Sequence, residues 1–146
     1  MNVTIIGAGY VGLVTGVCLA NVGNKVMCLD VDKEKIKFLK DGKSPIYEPG
    51  LTSKLKNCIA LGNLLFTSNS KKAIEHSDLI FIAVGTPSQD SGETDLSYVK
   101  SVAKTIAKNL NQNKIVVTKS TVPVGTTKLV KDIINEYANN EYRVDV

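Results

Sequence analysis

The sequence predicts an α/β fold with a doubly wound, mainly parallel six-stranded sheet and helices on both faces. One reason is that short apolar runs alternate with longer amphipathic segments along the whole chain, which is the pattern of β-α-β units. A second reason is that the first apolar run leads through Gly7, Gly9 and Gly12 into a helical segment. A third is the acidic residue Asp30, which closes the second apolar run 18 residues after Gly12.

The predicted elements follow from periodicity and from helix and turn signals. The strands are mostly apolar, as buried parallel strands are, and are expected at residues 2–6, 25–30, 64–67, 79–84, 114–118 and 142–146. The helices are expected at residues 10–22, 33–40, 51–59, 70–74, 96–110 and 126–137. The helix from Leu96 to Leu110 has the clearest amphipathic spacing, and Ser70 is expected to cap the helix that it begins.

Right-handed crossovers would place the strands in the order 3-2-1-4-5-6. The carboxyl ends of the strands then meet at one edge of the sheet, where ligands bind in folds of this kind. The loops that converge there are expected at residues 7–12, 30–35, 85–94 and 119–125.

Length and composition indicate a single globular domain over residues 1–146. The chain is 43% hydrophobic and 22% charged, which suffices for one core. Its net charge of +4 comes from lysines scattered over helical stretches. Such scatter favours solvated helix faces over a nucleic-acid surface, because nucleic-acid binders cluster their basic residues.

The three cysteines, Cys18, Cys28 and Cys58, lack the spacing of a metal site. Their odd number and the apolar runs around two of them predict buried free thiols in a reducing compartment, and hence a cytoplasmic protein without a bound metal. A catalytic thiol is the alternative, but no cysteine lies near a histidine that would lower its pKa.

A membrane segment is a rival interpretation of residues 1–24, which carry no charged side chain. Gly12 and Gly16 also have the spacing of a membrane-helix packing motif. Three glycines within six residues, several asparagines and the lack of a basic leader argue against this interpretation.

The pattern G-x-G-x-x-G between a strand and a helix predicts a pyrophosphate site. Gly7 would permit the tight turn, Gly9 would let the pyrophosphate approach the backbone, and Gly12 would let the helix pack on the strand. Asp30 would accept hydrogen bonds from the adenosine ribose hydroxyls. Its charge would repel a 2′-phosphate, so the expected cofactor is NAD rather than NADP.

The remaining loops offer weaker candidates. Thr86 can hydrogen-bond the middle of a dinucleotide, or it can belong to a plain turn. Ser120 and Thr121 offer hydroxyls where a nicotinamide would lie, or they prepare the cap of the next helix. Lys35 can reach the adenosine side or be a solvated helix lysine. No acid–base pair or nucleophile is assembled by these residues.

The motifs together resemble the UDP-glucose/GDP-mannose dehydrogenase family over the whole chain, and its UDP-glucose branch in particular. The resemblance is carried by residues 6–13 (IGAGYVGL), 29–32 (LDVD), 44–51 (SPIYEPGL), 81–87 (FIAVGTP), 95–99 (DLSYV) and 119–126 (KSTVPVGT).

The resemblance implies an enzyme that oxidises the C6 alcohol of a nucleotide sugar to a carboxylate with two NAD⁺. It implies that Tyr10 and Val11 line the pyrophosphate turn and that Lys35 lies beside Asp30 at the adenosine ribose. It also implies that Thr86 contacts the cofactor, and that Thr121 lies near the nicotinamide and supports the catalytic water network.

The sequence departs from the family in length. The family's Asn-Pro-Glu-Phe segment, its central helix and its nucleophilic cysteine have no counterpart in these residues. We therefore expect an NAD-binding domain that is inactive alone, belonging to an enzyme that takes a UDP-sugar and dimerises through the central helix. The alternatives are a GDP-mannose or UDP-N-acetylmannosamine dehydrogenase, a different Rossmann dehydrogenase, or an NAD-binding module without catalysis.

Overall fold

The computed structural model describes residues 1–139 and 141–146. The strands are β1 (Asn2–Ile6), β2 (Lys25–Leu29), β3 (Leu64–Thr67), β4 (Leu79–Ile82), β5 (Lys114–Thr118) and β6 (Val144–Asp145). The helices are α1 (Tyr10–Asn21), α2 (Lys33–Lys40), α3 (Leu51–Ala60), α4 (Ser70–His76), α5 (Ser97–Lys108) and α6 (Thr126–Tyr137).

The six strands form one sheet in the order β3-β2-β1-β4-β5-β6, and every named strand pair is parallel. This confirms the predicted topology. The central strand β1 ends at Ile6, which is in register with Leu29 of β2 on one side and with Ile82 of β4 on the other. The chain order reverses between β1 and β4, so the loops after these strands flank a crevice at the carboxyl edge.

Helices pack on both faces of the sheet, as predicted for a doubly wound fold. One core cluster joins the sheet to α1 and α3 through side chains such as Leu13 and Leu55. The other joins the opposite face to α4, α5 and α6 through side chains such as Ala103 and Ile134. The two clusters pack the strands on both faces of the sheet, so the loops at the carboxyl edge are anchored in a well-packed core.

Some local predictions are wrong. Strand β4 ends at Ile82, two residues earlier than predicted. Ala83 still donates its N–H to the Ile6 carbonyl oxygen at 2.8 Å, and Ala83 and Val84 line the crevice. Helix α4 is capped by Asn69, whose side chain accepts from the Lys72 N–H at 3.0 Å, so Ser70 is not the cap. Strand β6 covers only two residues.

The prediction of three buried thiols is wrong for Cys18. Cys28 and Cys58 are buried, but Cys18 is exposed. The buried face of α1 consists of residues 12, 13, 16, 17 and 20, and the helical period turns Cys18 to the other side. In the described part of the chain, no helix has the length and apolar character that a membrane crossing requires.

Candidate functional site

The glycine turn between β1 and α1 is shaped by two close backbone approaches. Gly7 has a φ of +102°, and a Cβ there would lie 2.4 Å from the carbonyl oxygen of Ala83. A Cβ on Gly12 would lie 1.8 Å from the carbonyl oxygen of Gly7. Only glycine fits these two positions, since a side chain would push β4 or α1 away from the turn.

Gly9 differs from its two neighbours because it faces open space. No atom lies within 4 Å of where its Cβ would be, and it lines the crevice. The first intrahelical bond of α1 runs from the Leu13 N–H to the Gly9 carbonyl oxygen at 2.8 Å. The N–H groups of Tyr10, Val11 and Gly12 therefore have no partner within the helix.

The amino end of α1 is thus suited to an anion. Its first turn carries no acidic side chain, and no side chain caps it. Free N–H groups and the positive end of the helix dipole together favour a phosphate at this point. The open side of Gly9 is where such a group can approach the backbone.

Asp30 follows β2 and lies beside this turn with 9% of its surface exposed. Its Oδ2 accepts from the Ala8 N–H at 2.9 Å and from the Lys35 ammonium at 3.0 Å. Its Oδ1 accepts from the Asp32 N–H at 3.0 Å. Asp32 in turn caps α2 by accepting from the Lys35 N–H, which fixes where the Lys35 side chain begins.

The environment of Asp30 keeps its carboxylate ionised. Burial raises the pKa of Asp30, but hydrogen bonds from the Asp32 N–H, the Lys35 ammonium and the Ala8 N–H hold it below the ordinary value. A negative charge therefore faces the crevice at neutral pH and is hydrogen-bonded directly to the glycine turn through the Ala8 N–H. Lys35 compensates that charge on one side only, because it contacts only Oδ2.

The crevice is a cleft of about 540 Å³, within the range of small-molecule sites. Its walls are formed by the glycine turn, the ends of β2 and β4, the start of α4 and one face of α5. The lining side chains beyond the turn are Leu29, Asp30, Val31, Asp32, Lys35, Ser68, Ser70, Ala83, Val84, Tyr98, Ser101, Val102 and Thr105.

The structure brings some of the sequence-predicted residues to this cleft and leaves others outside it. Gly7, Gly9, Asp30 and Lys35 line it. Tyr10 and Val11 occupy the first turn of α1 with 54% and 47% of their surfaces exposed. Gly12 is buried behind the turn, where it serves helix packing.

Thr86 and Thr121 do not line this cleft but contact each other. The Thr86 hydroxyl donates to the Thr121 carbonyl oxygen at 2.8 Å. The Ser120 hydroxyl donates to the Val84 carbonyl oxygen at 2.7 Å. These two bonds join the loop after β4 to the loop after β5, so the hydroxyl of Thr86 is already used in the protein.

Sequence reasoning missed two features of the site. The Tyr10 hydroxyl donates to Oε1 of Glu48 at 2.6 Å, which ties the loop at residues 44–50 to the glycine turn. This hydrogen bond is the main reason why the pKa of Tyr10 lies above its ordinary value. The second feature is the hydroxyl-bearing face of α5, for which polar residues at 98, 101 and 105 beside the apolar stripe were the available signal.

The donor set suits a dinucleotide rather than a metal ion. Residues 1–139 and 141–146 contain no group of three or more His, Cys, Asp or Glu side chains placed to hold a metal. The free helix amino end suits a pyrophosphate, and the ionised carboxylate suits a ribose. Gly9 and Asp30 line the same cleft.

Comparisons with known proteins agree with this geometry. A family model described as "UDP-glucose/GDP-mannose dehydrogenase family, NAD binding domain" matches residues 1–146. The chain is 51% identical over 145 residues to UDP-glucose 6-dehydrogenase TuaD of Bacillus subtilis, covering 99% of this chain and 32% of that protein.

Two solved structures show the same likeness. A UDP-glucose dehydrogenase from Pyrobaculum islandicum matches with a TM-score of 0.93 and 37% identity, over 99% of this chain and 35% of that one. A GDP-mannose dehydrogenase from Pseudomonas aeruginosa, solved as a ternary complex, matches with a TM-score of 0.88 and 38% identity over the same shares.

The chain thus spans about a third of the length of these relatives. The match of the family model over all 146 residues is the decisive observation, and the cleft geometry agrees with it. The chain therefore belongs to the UDP-glucose/GDP-mannose dehydrogenase family, as its NAD-binding domain.

Proposed function

We propose that this domain holds NAD⁺ for a dehydrogenase that oxidises the C6 alcohol of UDP-glucose to a carboxylate. The observation that carries the proposal is the ionised Asp30 carboxylate beside the open turn at Gly9. Support for the substrate comes from relatives named as UDP-glucose 6-dehydrogenases. In this proposal the UDP-sugar site belongs to the part of the enzyme that residues 1–146 do not include.

The hydrogen bonds at Asp30 support a place for the adenosine ribose between two residues, Asp30 and Lys35. Oδ2 already accepts two donors, whereas Oδ1 accepts one and keeps a free lone pair. One ribose hydroxyl can therefore donate to Oδ1. The Lys35 ammonium has further N–H donors for the oxygen of the other hydroxyl. Lys35 then binds the cofactor directly and also orients Asp30.

The same arrangement disfavours a 2′-phosphate. A phosphate at the ribose would lie against the carboxylates of Asp30 and Asp32. Among residues 1–139 and 141–146, Lys35 is the one lysine or arginine that lines the cleft. Two like unit charges about 4 Å apart repel each other by about 1 kcal/mol even in a medium as polar as water. We expect NAD⁺ to bind at least tenfold more tightly than NADP⁺.

The nicotinamide end would lie towards the joined loops after β4 and β5. Bound NAD⁺ supplies the chemistry of accepting a hydride from the alcohol carbon. Thr121 would place its hydroxyl beside the nicotinamide and the water network. The Thr86–Thr121 hydrogen bond would hold Thr121 in place, so Thr86 acts as a positioning residue for Thr121 as well as a neighbour of the cofactor.

Two further properties belong to the same proposal. Free Cys18, Cys28 and Cys58 suit a reducing compartment, and we place the enzyme in the cytoplasm. We also propose that the complete enzyme is a homodimer, formed by its central helix. GDP-mannose is the second candidate substrate, because the identity to the GDP-mannose dehydrogenase, at 38%, matches that to the archaeal UDP-glucose enzyme.

The first test measures cofactor binding to the 146-residue chain by calorimetry. We expect NAD⁺ to bind, NADP⁺ to bind at least tenfold more weakly, and Asp30→Ala to abolish the preference. Ser53→Ala, on the surface of α3 outside the cleft, is the control and should change neither affinity. Tighter binding of NADP⁺ by the unaltered chain would refute the role of Asp30.

The second test measures oxidation. The corresponding 145 residues of the Bacillus subtilis relative, which are 51% identical, are replaced by this chain. The chimera should form NADH from UDP-glucose with NAD⁺, and it should lose that activity with Asp30→Ala. GDP-mannose is offered in parallel. A folded chimera that binds NAD⁺ but oxidises neither sugar would contradict the proposed role.

A further inference from the structure

Strand β3 forms an open edge of the sheet. It pairs with β2 in a parallel ladder, and within residues 1–139 and 141–146 no strand pairs with its other side. The N–H groups of Val26 and Asp30 donate to the carbonyl oxygens of Asn63 and Thr67, at 2.8 and 3.2 Å. These two bonds fix which backbone groups point towards β2. We call the open side of residues 64–67 the β3 edge.

The β3 edge carries backbone groups that no strand uses. Bonding groups alternate along a strand, so the N–H and C=O groups of Leu64 and Phe66 point away from β2. The side chains of these two residues are buried, so the core holds their backbone in place. An unpaired edge of this kind is a template on which a further strand can pair.

A groove of about 310 Å³ is lined by all four residues of β3. Its apolar lining includes Met27, Ile59 and Leu65. Leu65 is 46% exposed although its side chain is apolar. A strand placed along the β3 edge would therefore gain apolar contacts in addition to backbone hydrogen bonds.

The charged side chains that line this groove, among the residues that the structure describes, are Lys40 and Lys72. Lys40 ends α2, which packs on the same face of the sheet as α1, and Lys72 belongs to α4 on the opposite face. Neither lysine forms an ion pair within residues 1–139 and 141–146. The groove thus receives one uncompensated positive charge from each face of the sheet.

We propose that the β3 edge binds an extended acidic segment of another protein, which adds a strand to the sheet. Backbone hydrogen bonds to Leu64 and Phe66 would supply affinity, and the two lysines would select the sequence. Side chains of the added strand alternate between the two faces. Its acidic residues would therefore lie an odd number of positions apart, so that one meets Lys40 and another meets Lys72.

A second copy of this chain suits the β3 edge poorly. Pairing of two β3 strands about a two-fold axis would bring both copies of Lys40 and of Lys72 onto one seam, and like charges that face each other on a sheet are destabilising. The net charge of +4 adds to this repulsion. Lysine at an edge strand opposes self-pairing, whereas an acidic partner turns the same charges into an attraction.

The test uses three peptides with blocked ends and the ¹⁵N-labelled 146-residue chain. The peptide TEVVET places its two glutamates on opposite faces of a strand, and TKVVKT reverses both charges. TEPPET keeps the charges, but one of its two adjacent prolines must face the β3 edge without an N–H to donate. We expect TEVVET to bind at least fivefold more tightly than either control peptide.

Hydrogen exchange reports whether the peptide pairs with the backbone. Saturating TEVVET should slow exchange of the Leu64 and Phe66 amides at least tenfold, because both amides gain an acceptor. Absence of TEVVET binding, absence of this protection, or equal binding of TEPPET would overturn the inference.

Charge-reversed variants test the two lysines. Lys40→Glu combined with Lys72→Glu should weaken TEVVET at least fivefold and make TKVVKT the tighter ligand, because repulsion replaces attraction. Lys128→Glu combined with Lys131→Glu makes the same change in net charge at exposed positions of α6 and is the matched control. Melting curves establish that both variants are folded. A control that weakens TEVVET as much as the edge variant does would overturn the assignment of the lysines.

The chimera with the Bacillus subtilis relative tests the β3 edge in a longer enzyme. TEVVET should bind the chimera within threefold of its affinity for the 146-residue chain. Loss of binding in the folded chimera would show that another part of the enzyme covers β3, and self-association that TEVVET reverses would assign the edge to a second copy. Either result would overturn the proposal of a separate acidic partner.

Discussion

Alanine at Gly9 and alanine at Gly12 should have opposite consequences, although the two glycines lie three residues apart in one motif. Gly9 has a φ of −78° and no atom within 4 Å of a future Cβ. Alanine adopts this backbone without strain, and a compatible Gly→Ala change stabilises by about 0.4–1 kcal/mol through the unfolded chain. The added methyl group would enter the cleft.

The methyl group of Gly9→Ala should therefore weaken cofactor binding and leave stability intact. It would keep a pyrophosphate away from the free N–H groups at the start of α1. Charge-assisted hydrogen bonds contribute about 1.5–3 kcal/mol each. Losing the equivalent of one such bond should weaken NAD⁺ about 10- to 150-fold, while the melting temperature stays level or rises slightly.

The methyl group of Gly12→Ala should instead lower the stability of the folded domain. A Cβ 1.8 Å from the Gly7 carbonyl oxygen must move by about 1.5 Å to reach an ordinary contact of about 3.3 Å. Overpacking of a rigid backbone costs about 3 kcal/mol. For a chain of this length that corresponds to a fall in melting temperature of about 10 °C.

The assay is thermal melting of Gly9→Ala, Gly12→Ala and the unaltered chain, each with and without saturating NAD⁺. The unaltered chain should gain stability from NAD⁺, and Gly9→Ala should lose most of that gain while melting normally without ligand. If Gly9→Ala binds NAD⁺ as tightly as the unaltered chain, or if Gly12→Ala melts at the same temperature, the division of roles in the glycine turn is wrong.

Three further perturbations test groups elsewhere in the domain. Asp30→Asn should lower stability by about 2 kcal/mol at pH 7, since charged hydrogen bonds are lost. Because the pKa of Asp30 is depressed in the folded state, the loss of stability measured by urea titration should become smaller as the pH falls below about 4. A loss of stability that does not change with pH would contradict a stabilising role for the Asp30 charge. Lys114 is 3% exposed, and burial lowers its pKa although Asp78 and Glu75 raise it. The free energy of unfolding should therefore rise as the pH increases from the depressed pKa of Lys114 towards 10.5, and Lys114→Met should remove this rise. Equal pH profiles for the variant and the unaltered chain would contradict this interpretation. Among the thiols, only Cys18 should react with a disulfide reagent in the native state, because Cys28 and Cys58 are buried and burial raises the pKa of Cys28 to about 12. Rapid modification of more than one thiol before unfolding would show that the core is open.

Much of the fold was predictable because it depends on local chemistry. Buried parallel strands demand apolar runs, and helices on a sheet demand apolar stripes with a 3.6-residue period. Right-handed crossovers together with the glycine pattern after the first strand favour the order 3-2-1-4-5-6, which the structure confirms. Element ends were less predictable, since the apolar run continues through Ala83 and Val84 although β4 ends at Ile82.

The side-chain pairs of the site were not predictable, because their partners are far apart in sequence. Tyr10 meets Glu48, and Thr86 meets Thr121, across separations of 38 and 35 residues. The sequence around each of these residues does not indicate which distant loop contains its partner. The paths of those loops follow from how α3 and α6 pack on the sheet.

The sequence by itself determined the glycine turn before α1, the acidic residue that follows β2 and the order of the strands. Each of these needs only a backbone conformation that glycine permits, a periodicity, or a crossover rule. Tertiary structure alone decided that Lys35 shares the Asp30 carboxylate with two backbone N–H groups and that five hydroxyl-bearing residues line the same cleft. Both depend on long-range packing, which sets distances that no local pattern encodes.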